Sequence, residues 1–81
     1  MPASDNEVLR PGEVLIYELD ARGQDVTNFA IKIGMFPSDL IDILLGKQRI
    51  TPDVAFRLEP ELGLPADFWM GLQADYDAQK G

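Results

Sequence analysis

Residues 25–46 read DVTNFAIKIGMFPSDLIDILLG, and this stretch decides the fold. Asp25 is a good N-cap, and the side chains after it fall along one face of a helix at i, i+3, i+4 and i+7, namely Val26, Phe29, Ala30 and Ile33. Gly34 ends this helix. Pro37 opens a second helix, whose inward stripe consists of Leu40, Ile43 and Leu44. Two short helices joined by a tight turn, here residues 34–36, are typical of a helix-turn-helix.

Three further helices flank this pair. The first is predicted from about Pro11 to Arg22, with Leu15 and Leu19 facing inward. The fourth starts at Pro52 behind the capping Thr51, and its inward side chains are Val54, Ala55 and Leu58. The fifth covers residues 65–78. No segment alternates with period two, so we predict an all-α fold: a single domain of residues 1–81, forming a small five-helix bundle that contains a helix-turn-helix.

Two segments of the chain are predicted to be irregular. Pro60 falls where the fourth helix would continue, and a proline inside a helix costs roughly 3 kcal/mol because it removes a hydrogen bond and crowds the preceding turn. We therefore predict that this helix kinks or ends near Leu58, with residues 59–64 as a connection. Residues 1–9 are predicted to form a flexible N-terminal tail.

The composition limits the chemistry that the chain can perform. Its 81 residues contain neither cysteine nor histidine, which excludes disulfides, thiol nucleophiles, zinc-finger ligand sets and Ser-His relays. Asp75 and Asp77, two apart on a helix, point in different directions and make a poor acid–base or metal pair. We predict no catalytic residue, no metal and no cofactor, and therefore a binding protein rather than an enzyme.

Charge and hydropathy indicate where the protein acts and what it binds. The N-terminal residues lack the basic and apolar segments of a signal peptide, and no apolar run approaches the ~18 residues of a membrane span, so we expect a cytoplasmic protein without membrane contact. The net charge is −7, but residues 31–57 carry +1 and the two flanks −4 each. The acidity serves solubility in its simplest interpretation. Any contact with nucleic acid has to come from the middle segment.

Three segments carry a family resemblance. They read RPGEVL at residues 10–15, LLGKQRITPDVAFRL at 44–58 and FWMGLQADYD at 68–77. Together they resemble the HigA-type antitoxins, the plasmid-maintenance antidote proteins of toxin-antitoxin systems within the XRE helix-turn-helix family. The resemblance implies a lambda-repressor-like DNA-binding domain. It also implies a homodimer that binds operator DNA as a transcriptional autorepressor and neutralises a ribonuclease toxin. The acidic flanks suit a basic toxin.

The resemblance also implies which residues bind DNA. The DNA-binding positions that match the family pattern are Ser38, Lys47, Gln48 and Arg49. Val26 stands where the family usually has a glutamine, and Asp39 and Asp42 replace residues that are usually uncharged or basic. Valine cannot form a hydrogen bond, and each aspartate near a phosphate costs about 1 kcal/mol even at the dielectric constant of water. We therefore expect weakened, salt-sensitive binding to operator DNA.

The same departures support an alternative function. Ile41 and Leu45 lie off the inward stripe of the recognition helix, and Phe36 belongs to the turn. If these three are exposed, they form a protein-interaction surface, and the protein is a degenerate helix-turn-helix that no longer binds DNA and acts as a protein-protein interaction module. If the helix is rotated, Ile41 and Leu45 are buried in the core. The sequence leaves both arrangements open.

The last helix carries an aromatic stripe. Its members at helical spacing are Phe68, Trp69, Leu72 and Tyr76. Most such stripes belong to a core, but the family resemblance favours a role in the homodimer, so these four are the predicted dimerisation residues. A symmetric contact would also add buried area to a chain too short for a large core.

Overall fold

Five α-helices make up residues 10–80, the part of the chain that the computed structural model describes. They are α1 (Pro11–Ala21), α2 (Val26–Lys32), α3 (Pro37–Leu44), α4 (Pro52–Leu62) and α5 (Ala66–Lys80). No β-strand lies in this range, so the predicted all-α bundle with a helix-turn-helix is confirmed. The predicted tail at residues 1–9 lies outside the described residues.

Side-chain caps define where α2 and α4 begin. The carboxylate of Asp25 accepts a hydrogen bond from the backbone amide of Asn28 at 3.0 Å. The hydroxyl of Thr51 accepts one from the amide of Val54 at 3.3 Å. Each bond satisfies one of the amides that the first turn of a helix leaves without a partner. Both caps agree with the prediction from sequence.

All five helices contribute side chains to the core. Its buried apolar side chains are Leu15, Leu19, Phe29, Ala30, Ile33, Leu40, Ile43, Leu44, Ile50, Val54, Ala55, Leu58, Leu62 and Trp69. The inward stripes predicted for α1 to α4 are confirmed, although Val26 packs against the core only partly buried. Each large side chain in this set contributes roughly 1.5–3 kcal/mol by leaving water.

Gly12 brings α1 and α3 into direct contact. A Cβ atom added at this position would lie 2.3 Å from the carbonyl oxygen of Ile43 and 2.9 Å from that of Leu44. The first turn of α1 therefore sits against the last carbonyls of α3, at a distance that only glycine allows. This contact fixes the end of α3 and so the loop that follows it.

The structure contradicts the predicted end of α4 near Leu58. The helix continues through Pro60 to Leu62, and Gly63 ends it with a left-handed φ of 75°. Pro60 is exposed in the last turn, where water can replace the lost hydrogen bond. In return, the side chain of Leu62 is buried, and its carbonyl accepts a hydrogen bond from Arg22 at 2.9 Å. Tertiary contacts thus outweigh the local cost of proline.

The aromatic stripe of α5 is divided between core and surface. Trp69 is fully buried, whereas Phe68 stays exposed and meets it edge-on with ring centroids 5.2 Å apart. Leu72 and Tyr76 are half-buried, and the buried residue one turn after Trp69 is Gln73. Trp69 therefore belongs to the core of the protomer, which corrects its predicted place on a dimer surface.

Candidate nucleic-acid interface

The turn between α2 and α3 is held by an arginine of α4. Arg57 donates from Nη1 to the carbonyl oxygen of Ile33 at 2.9 Å and, more weakly, to that of Gly34 at 3.4 Å. Asp53, one turn earlier in α4, accepts from Nε of Arg57 at 2.9 Å. Gly34 has a φ of 80°, and a Cβ there would lie 2.7 Å from Nη1 of Arg57. A side chain outside the helix-turn-helix therefore fixes its geometry.

The recognition helix α3 presents a largely apolar outward face, which we define as Phe36, Ser38, Ile41 and Leu45. Ser38, Ile41 and Leu45 follow the i, i+3, i+7 spacing, and Phe36 is the N-cap residue. The side chains of Phe36, Leu45 and Ile41 are 76%, 56% and 40% exposed. The arrangement in which Ile41 and Leu45 are buried in the core is therefore wrong.

Two aspartates lie beside the outward face, and one glutamine contacts both. The side-chain amide of Gln48 donates from Nε2 to Asp39 at 3.4 Å and to Asp42 at 3.3 Å. Gln48 was predicted to contact DNA, but both its N–H groups are directed at carboxylates of its own chain. The contact leaves the two negative charges in place, and it occupies the donors that could read an adenine.

The loop after α3 carries the remaining predicted DNA contacts. Lys47 and Arg49 are both exposed. Arg49 forms an ion pair with Asp77 of α5. Among the cations of residues 10–79, whose side chains the structure describes, Lys47 is the one without an ion pair to a carboxylate. The structure thus brings Lys47, Gln48 and Arg49 together at the end of α3, and Ser38 lies at its beginning.

A buried glutamine ties this loop to α5. The side-chain oxygen of Gln73 accepts from the backbone amide of Ile50 at 2.7 Å, and its nitrogen donates to Asp77 at 3.0 Å. Gln73 is only 3% exposed. Neither Gln73 nor Asp77 was among the site residues predicted from sequence. The spacing of Gln73, four residues after Trp69, could have indicated its burial, but no local pattern pairs Asp77 with Arg49.

Three cations line one cleft beside α3. This cleft, about 440 Å³ in volume, lies between the start of α1, the loop after α3, and α5, and its cations are Arg10, Lys47 and Arg49. Arg10 reaches the loop, since a Cβ on Gly46 would lie 3.5 Å from its Nη1. Arg10 also donates to Glu13 at 3.1 Å, and this hydrogen bond lowers the pKa of Glu13. Arg10 was not among the predicted site residues.

The surface around α3 consists of an exposed helix face and the adjoining cleft. No group of three or more acidic side chains within residues 10–80 is arranged to hold a metal ion. Over the same residues, every helix is too short or too polar to cross a membrane. A short helix held by a fixed turn, with its outer side open to solvent beside a cationic cleft, defines the class: a lambda-repressor-like helix-turn-helix protein.

Known proteins have similar sequences, and one of the following two is described as a helix-turn-helix regulator. The chain is 34% identical over 80 residues to virulence-associated protein I of Dichelobacter nodosus, covering 95% of this chain and 74% of that protein. It is 31% identical over 64 residues to the HTH-type transcriptional regulator YddM of Escherichia coli (strain K12), covering 79% and 68% respectively. No protein-family model matches the sequence.

Solved structures that superpose on this chain identify its family. An addiction module antidote protein of a HigA family from Coxiella burnetii superposes with a TM-score of 0.83 at 32% identity, over 89% of this chain and 79% of that one. The Pseudomonas aeruginosa antitoxin HigA, solved with the higBA promoter, gives 0.86 at 28% identity, over 91% and 82%. The chain belongs to the HigA-type antidote family of XRE helix-turn-helix proteins.

Proposed function

We propose that this protein is an antitoxin that represses its own promoter by binding operator DNA and neutralises a partner toxin. The observation that carries the proposal is the fixed helix-turn-helix with an exposed second helix, in a chain similar to an antitoxin solved with its promoter. The protein acts by binding and performs no catalytic step. A repressor works where the DNA is, so the proposed location is the cytoplasm.

The proposed DNA contact places α3 in the major groove with its outward face toward the base edges. Ser38 contacts a phosphate at the start of the helix, and Lys47 and Arg49 do so beyond its end. Arg10 joins them, because it lines the same cleft as the two loop cations. These contacts position the protein without carrying sequence information.

Several groups oppose this contact and make it weak. Asp39 and Asp42 bring negative charge to α3, and the donors of Gln48 are directed at those carboxylates. Val26 offers no hydrogen bond at the start of α2. Because few phosphates are neutralised, the affinity for DNA is low and falls as salt is added. The logarithm of the binding constant falls against the logarithm of the salt concentration with a slope of about −0.9 per phosphate contact.

A homodimer is the proposed binding unit, since two half-sites double the contacts of a small domain. Phe68, Leu72 and Tyr76 are its proposed contact residues, because they remain at least partly accessible on α5. The proposed toxin is a basic ribonuclease, which the acidic flanks of the chain would attract. The alternative, a protein-interaction module that has lost DNA binding, has no comparable support.

The test is fluorescence anisotropy of a labelled duplex from directly upstream of the coding sequence, beside an unrelated duplex of equal length. Measured at ~50 and ~200 mM salt, the upstream duplex should bind more tightly, and both affinities should fall with salt. Lys47→Ala should weaken both duplexes and reduce the salt slope by about one. Lys32→Ala is the matched control, because Lys32 is already paired with Glu61. Equal binding of the two duplexes contradicts the proposal.

A further inference from the structure

We infer that α3 recognises the methyl groups of thymine, so that apolar contacts rather than hydrogen bonds define the preferred operator. This inference rests on the proposed operator binding and names the chemistry of the bases that are read. It follows from two properties of α3: the side chains that it exposes and the hydrogen-bond donors that it lacks.

The exposed side chains supply apolar surface where a recognition helix meets the bases. Ile41 and Leu45 lie on one face of α3 and Phe36 at its N-cap, and each of the three residues is at least 40% exposed. Side chains of this size on the opposite side of α3, such as Leu40, are buried in the core. In the major groove, the thymine methyl is the apolar group that distinguishes one base pair from the others.

The missing donors exclude the usual means of reading purines. Guanine is read by arginine or lysine and adenine by asparagine or glutamine, and α3 carries none of these four residue types. Gln48, the nearest amide, is held by Asp39 and Asp42. The two carboxylates can only accept, chiefly from cytosine, and they lie beside the outward face. Ser38 alone provides a donor on that face.

Replacing thymine by uracil tests the inference without changing the protein. Deoxyuridine keeps the base pair and its O4 acceptor and removes only the methyl group. The full chain is titrated with the upstream duplex and with the same duplex synthesised with deoxyuridine at every thymine. Affinity for the uracil duplex should fall by about fourfold for each contacted methyl, from ~0.8 kcal/mol per buried group of that size. Single replacements then locate the contacted thymines.

Variants identify the side chains that contact the methyl groups. If Leu45 packs on a thymine methyl, Leu45→Ala should weaken binding to the thymine duplex and leave little difference between the two duplexes. Ile41→Ala, measured in the same way, provides a second variant should the first unfold. Phe56→Ala is the control, because Phe56 is 71% exposed on α4 and is not part of the outward face of α3. It should preserve the full preference for thymine, and circular dichroism should show all three variants folded.

The outcomes separate this inference from the proposed function. The inference and the proposed function are both supported by three results together. The protein binds the upstream duplex selectively, uracil weakens this binding, and uracil no longer weakens it in Leu45→Ala or Ile41→Ala. Selective binding that uracil leaves unchanged overturns the inference alone. Equal binding of upstream and unrelated duplexes overturns the proposed function and the inference with it, and leaves the outward face to a protein partner.

Discussion

The guanidinium of Arg49 is paired with the carboxylate of Asp77, which lies 28 residues further along the chain. Arg49 belongs to the loop after the recognition helix, and Asp77 to the last helix. In the proposed complex, a phosphate that binds Arg49 therefore competes with a carboxylate that already holds it. The proposed DNA affinity thus depends on α5 as well as on the helix-turn-helix.

Asp77→Asn should strengthen DNA binding, because Arg49 loses its charged partner while Gln73 keeps an oxygen to donate to. A surface ion pair is worth ~0–1 kcal/mol, so the gain in affinity for any duplex should be at most about fivefold. Asp75→Asn removes the same charge from an exposed position on the same helix. Equal gains in the two variants, measured by anisotropy, would show that net charge alone is responsible.

Gln73→Leu should destabilise the fold. It leaves the amide of buried Ile50 without its acceptor, at a cost of about 1–3 kcal/mol in the free energy of unfolding. Urea denaturation followed by circular dichroism measures this as a lower midpoint. Gln79→Leu, at an exposed position of the same helix, is the comparison and should move the midpoint little. A stable Gln73→Leu protein would mean that the loop does not depend on this bond.

Two glycine-to-alanine substitutions should change stability in opposite directions. Gly12→Ala places a methyl 2.3 Å from the carbonyl oxygen of Ile43, and the overpacking should cost about 1–3 kcal/mol. At Gly71, inside α5, a Cβ would meet nothing within 4 Å, so alanine should stabilise by about 0.5–1 kcal/mol. Thermal unfolding of both variants measures the two changes in stability. A change of the same sign in both variants would refute the packing argument.

The pair of Arg10 and Glu13 should make stability depend on pH. Because the pKa of Glu13 is lowered in the folded protein, its contribution is present above the pKa of the unfolded chain and is lost as pH falls through the folded value. Glu13→Gln should therefore be less stable than the parent at pH 7, and the difference should shrink as pH falls through the folded value. Asp20→Asn removes the same charge from an exposed position of α1 and is the comparison for the denaturant midpoints.

The fold could be predicted where local patterns and tertiary contacts agree. The caps at Asp25 and Thr51 and the inward stripes are properties of a few neighbouring residues, so the sequence contains them. Pro60 misled the prediction because its cost is local, whereas the burial of Leu62 and its bond from Arg22 come from the rest of the fold.

The site was less predictable than the fold. Ile41 and Leu45 had two arrangements with equal support, and only packed helices show which one is exposed. Asp77 and Arg49 are far apart in sequence, so no spacing rule joins them. The pairing of Arg10 with Glu13 is local in sequence. The place of Arg10 in the cleft instead follows from the tertiary contact of α1 with α3.

The hydrogen bonds of Arg57 to the carbonyls after α2 limit how the helix-turn-helix can be transferred to another protein. The turn between the two helices of the motif is held in part by a residue of α4, so residues 25–46 do not contain every contact that fixes it. A graft of that stretch onto another scaffold loses these hydrogen bonds unless Arg57 and Asp53 accompany it. The outward face of α3, by contrast, lies outside the buried core, and new specificities of the proposed DNA contact can evolve there with little change to the core.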